Sequence, residues 1–70
     1  METIKLSIAI QSHLSDAMIE MDFNQDLAEK RIRLIKILLH RYPQTNIDIE
    51  VSELNKIYRE EVLGLVSEKA

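Results

Sequence analysis

The sequence predicts an all-α fold, a small antiparallel bundle of three helices near 4–22, 25–42 and 51–67 that can pair with a second copy. Three observations predict it. Apolar residues recur at helical spacing through most of the chain. One Gly and one Pro in 70 residues leave little material for the turns of a multi-stranded sheet. The breaks in the periodicity, at 22–24 and 43–46, are short enough to join antiparallel neighbours.

The first helix is read from Leu6, Ile10, Leu14, Ala17, Met18 and Met21, which share one stripe, with Ile4, Ile8 and Ile19 on a second. The same residues carry a rival signal. Ile4, Leu6, Ile8 and Ile10 alternate as a strand would, and so do Ile47, Ile49 and Val51 further on. If both stretches are extended they must pair with each other, which defines an α+β alternative with short strands near 4–10 and 46–51. The helical reading rests on the absence of Gly and Pro from the segment and on its helical second half.

The central helix, LAEKRIRLIKILLHRY, is the most regular element. Leu27, Ala28, Ile32, Leu34, Ile35, Leu38, Leu39 and Tyr42 fall in one arc of roughly 160°, wide enough to touch two neighbours. Arg31 intrudes on that arc, where its stem can snorkel to water, and Ile37 sits among the charges opposite. Asn24 is the expected N-cap, with Phe23 placed to fold back on the first turn. Asp26, and His40 with Arg41, suit the two ends of the dipole, and Pro43 stops the helix.

After the Pro43–Asn46 turn, the third helix is read from Val51, Leu54, Tyr58, Val62, Leu65 and Val66, capped by Ser52 or Asp48. Ile57 and Leu63 fall off its stripe. Gly64 implies either fraying or close approach of another backbone.

Composition narrows the function. At 46% hydrophobic and 30% charged, residues 1–70 read as a single folded domain. Domains this small often need a staple or a partner, and with no Cys there is no disulfide or thiolate zinc site. No signal peptide is expected, because Glu2 precedes the only early Lys and LSIAI is too short for an h-region. No apolar run approaches a membrane span, and the expected location is the cytoplasm. A net charge of −3 argues against general affinity for polyanions. It is unevenly spread: −3 over 1–22, +3 over 23–43 and −3 over 44–70, which favours a basic helix between two acidic ones.

Four constellations are candidates for function. Lys30, Arg33, Lys36, His40 and Arg41 form a basic face that could meet phosphates, making a small DNA-associated regulator the alternative reading. Three aromatics give no stacking platform, and Glu53, Glu60 and Glu61 burden the helix after the turn. His13, Asp16 and Glu20 share one side of a helix and are metal-ligand types, though one helix rarely closes a site. Ser12, Ser15 and His13 are close in sequence, but nucleophile and base must converge in a pocket. No segment carries a motif of known function, and neither enzyme activity nor a cofactor or small-molecule substrate is expected. The fourth is surplus apolar surface: Ile4, Ile8, Ile19, Ile37, Ile57 and Leu63 fall outside the main stripes and could face a partner. The function expected is therefore a non-catalytic protein–protein interaction module, with itself or another protein as partner.

Overall fold

The structure, a computed structural model, describes residues 2–65. Three helices account for most of them, and a short two-stranded antiparallel sheet joins two of the helix starts. The order is β1 (Thr3–Lys5), α1 (Leu6–Glu20), α2 (Gln25–Arg41), β2 (Asp48–Glu50) and α3 (Val51–Ile57), which continues as a π-helical turn over Tyr58–Val62. The all-α expectation is corrected by this ribbon. Each reading of the N-terminal segment holds only in part: the strand covers Thr3–Lys5 rather than 4–10, and the helix begins at Leu6 rather than near residue 4.

The ribbon pairs Thr3 with Glu50, Ile4 with Ile49 and Lys5 with Asp48. Two three-residue strands would not hold by themselves. They persist because each runs straight into a helix whose first N–H groups need acceptors. The Leu6 N–H donates to the Ile47 carbonyl at 2.8 Å and the Ser7 N–H to Thr45 at 2.9 Å. On the other strand, the Val51 N–H donates to the Glu2 carbonyl at 3.0 Å. Backbone thus does the work expected of Ser52 or Asp48: α3 has no side-chain cap, and the Ser52 hydroxyl reaches only the Glu50 carboxylate.

The core lies where α1, α2, α3 and β2 meet. Leu6, Leu34, Leu38 and Ile57 are its fully buried large side chains, with Ala9, Ile49, Leu54 and Val62 around them. Burying a side chain of this size is worth about 1.5–3 kcal/mol. The broad arc of α2 does touch two companions, α1 on one side and the end of α3 on the other. Its ends are as expected: the Asn24 side chain accepts from the Leu27 N–H at 3.2 Å, and the α-helix ends at Arg41. Phe23 does not fold back; it is 73% exposed.

The rotation of α1 is the main departure. The expected stripe puts Leu14, Met18 and Met21 inside, whereas all three are exposed and the buried positions are Leu6, Ala9, Ala17 and Glu20. Residues 66–67, the expected end of the third helix, lie outside the described residues. No other described backbone approaches Gly64. It has φ +75°, nothing lies within 4 Å of where its Cβ would be, and the Leu65 N–H returns to the Arg59 carbonyl at 2.9 Å. It is a left-handed helix terminator, a conformation that glycine adopts without penalty.

Candidate functional site

The rotation of α1 follows from Arg31. A guanidinium carried into an apolar arc must find acceptors, because it stays charged. Ala17 and Ala28, both buried, are small residues three positions from the ends of α1 and α2 that flank the turn. Arg31 then reaches across. Its Nε donates to Glu20 Oε1 at 2.7 Å, and its Nη1 lies 2.9 Å from His13 Nδ1 and 3.8 Å from Asp16 Oδ2. The side chain is not snorkelling to water; it is held by the three residues whose spacing resembled a metal site. Among the described residues no group of three such side chains is placed to hold a metal ion.

A guanidinium has only donors, so His13 Nδ1 must accept, which makes this imidazole neutral with its proton on Nε2. Burial lowers the His13 pKa from 6.5, and the neighbouring Arg31 charge lowers it further, against the opposing pull of Asp16 and Glu20. The Glu20 hydrogen bond raises the pKa of Arg31.

Beside this cluster the helix interfaces are not completely filled. A cleft of about 340 Å³ has Ile4, Ala9, Leu34 and Leu54 on its apolar wall and Ser12, His13, Arg31 and Tyr58 on its polar one. Ser12 and His13 are successive on α1, roughly 100° apart, so hydroxyl and ring do not face each other. His13 Nδ1 is engaged by Arg31, so that nitrogen is not available as a base.

The basic face of α2 is largely engaged within the chain. Lys30 pairs with Asp26 one turn back, Arg41 with Glu61 at 2.7 Å, and Arg33 Nη1 approaches the Val62 carbonyl at 3.5 Å. Lys36 and His40 remain exposed. Arg31–Glu20 and Arg41–Glu61 are also the links by which the basic helix holds an acidic neighbour on each side.

The six apolar residues expected to face a partner are not brought together. Ile57 is 2% exposed and belongs to the core, and Ile4 and Ile37 are half-buried against it. Ile37 is covered because the end of α3 lies over that side of α2, a long-range contact that periodicity within α2 does not reveal. Leu63 is partly exposed beyond the π turn, and Ile8 and Ile19 share an outer side of α1 but are eleven residues apart.

A different apolar surface appears instead. On α1 the sides facing α3 and α2 are used by Ala9, His13, Leu6 and Ala17 in turn; continuing in the same sense come Met21, Leu14 and Met18, within roughly 60°. On α2, past Ile35 and Ala28, come Leu39 and Ile32. Both bands emerge on the side of the α1–α2 hairpin opposite α3. Met18 is 67% exposed and Leu39 50%. The sequence signal for this face was the stripe itself, read correctly as apolar and assigned to the core. Comparison of the chain with protein-family models, curated proteins and solved structures returned no match. No helix among the described residues is long and apolar enough to cross a membrane.

Proposed function

We propose that this chain is a non-catalytic protein–protein interaction module of the cytoplasm that self-associates through helix surfaces. One observation carries the reading: large apolar side chains, among them Leu14, Met18, Met21, Phe23 and Leu39, stay about half exposed or more on a 70-residue chain without disulfides. Scattered apolar residues on a surface are ordinary, but a face built of them marks an interaction site. Sedimentation velocity across a wide range of protein concentration tests it. The weight-average mass is expected to climb towards that of a dimer, and a monomer at every concentration would overturn self-association.

The competing reading is a DNA-associated regulator that uses Lys30, Arg33, Lys36, His40 and Arg41. The intramolecular pairing of Lys30 and Arg41 supports it less well. It predicts a salt-sensitive gel shift weakened by Arg33→Ala and Lys36→Ala, and no shift at low salt would dispose of it.

A further inference from the structure

We infer that the partner is a second copy of this chain seated on the α1–α2 face opposite α3, and that the face is defined by Leu14, Met18, Met21 and Leu39. The inference rests on the self-association proposed above and gives it a location. A helix that is apolar on several sides is normally covered on several sides. Among the described residues, α1 is covered where α2, α3 and the ribbon lie.

Area and charge select the occupant. With Phe23 at the end of the hairpin, the exposed parts of these side chains amount to roughly 400–600 Å², against the ~800 Å² that each partner contributes to a standard interface. The apolar centre is thus large enough for a stable dimer once its polar rim is added. That rim carries Ser7, Gln11 and Ser15 along α1 with Asp22 at its end, and Glu29 and Lys36 along α2, so each copy brings two acids and one base. Two such faces carry a net charge of only −1 each, so little like-charge repulsion opposes their meeting. An anionic lipid surface would call for a cationic rim, and most of the basic residues of α2 lie elsewhere, paired to Asp26, Glu20 and Glu61. A two-fold arrangement with α1 of each copy on α2 of the other lays the Leu14–Met18 stretch near the partly exposed Ile32 and closes the hairpins into four helices.

The test compares Met18→Glu with Ile19→Glu, neighbouring positions that are 67% and 61% exposed but point to different sides of α1. Both leave the core untouched, which circular dichroism checks. Met18→Glu and Leu14→Glu are expected to weaken dimerisation by about tenfold or more, and Ile19→Glu to change it by less than about twofold. A wild-type dimer indifferent to Met18→Glu, or equally sensitive to Ile19→Glu, would overturn this face while leaving self-association standing. A wild type that is monomeric throughout, or that binds anionic vesicles through Met18 instead, would overturn both.

Discussion

Replacing Arg31 with Met should be among the most damaging single changes outside the apolar core. The Glu20 side chain is 10% exposed and that of Arg31 22%, so the pair is nearly buried. Removing one partner of a buried pair costs about 3–5 kcal/mol, because the other charge is left without compensation. The residual access of water to both groups lowers this to about 2–3 kcal/mol. A chain of 70 residues has on the order of 4–10 kcal/mol of stability in all, so the loss is a large share of it. The double variant Glu20→Met with Arg31→Met removes both charges and should return to within about 1 kcal/mol of wild type. Urea unfolding followed by circular dichroism, at one fixed protein concentration so that association is held constant, measures all three variants. A single variant costing less than about 0.5 kcal/mol, or a double variant as damaged as the single, would refute the view that Arg31 sets the rotation of α1.

Three further outcomes are expected. The folded-state pKa of His13 is lowered, so the unfolded chain binds the extra proton first: stability is complete above the ordinary value of 6.5 and declines as pH falls below it, and His13→Gln should flatten that decline in a pH series of unfolding midpoints. Gly64→Ala should cost about 1 kcal/mol, from the φ of +75° and not from any clash, and a neutral result in the same unfolding assay would contradict the terminator role. Asn24→Ala should cost about 1 kcal/mol and Asn24→Ser much less, since either a Ser or an Asn side chain can accept from the Leu27 N–H.

What the sequence made legible follows from where each signal is local. The course of α2 is readable because its arc is single and its ends are marked by Asn24 and Pro43. The rotation of α1 is not, because apolar residues surround it and the decision is made by Arg31 on another helix. His13, Asp16 and Glu20 were visible as a constellation and Arg31 as a misfit, yet nothing in either pattern says that the two meet. The ribbon was legible as a possible pairing but not in extent. The ladder is short, Thr3–Lys5 on Asp48–Glu50, because helices begin at once at Leu6 and at Val51. Ile57 and Ile37 looked surplus because each was judged on its own helix, while the packing that buries them comes from elements distant in sequence.

The most direct measurement is an isotope-filtered nuclear Overhauser experiment on a mixture of methyl-labelled and unlabelled chains, observing the Met18 and Met21 methyl groups. Cross-peaks from these methyls to Ile32 of the other copy are the predicted result. Methyl groups that show contacts only within their own chain, at concentrations where the protein is dimeric, would contradict it.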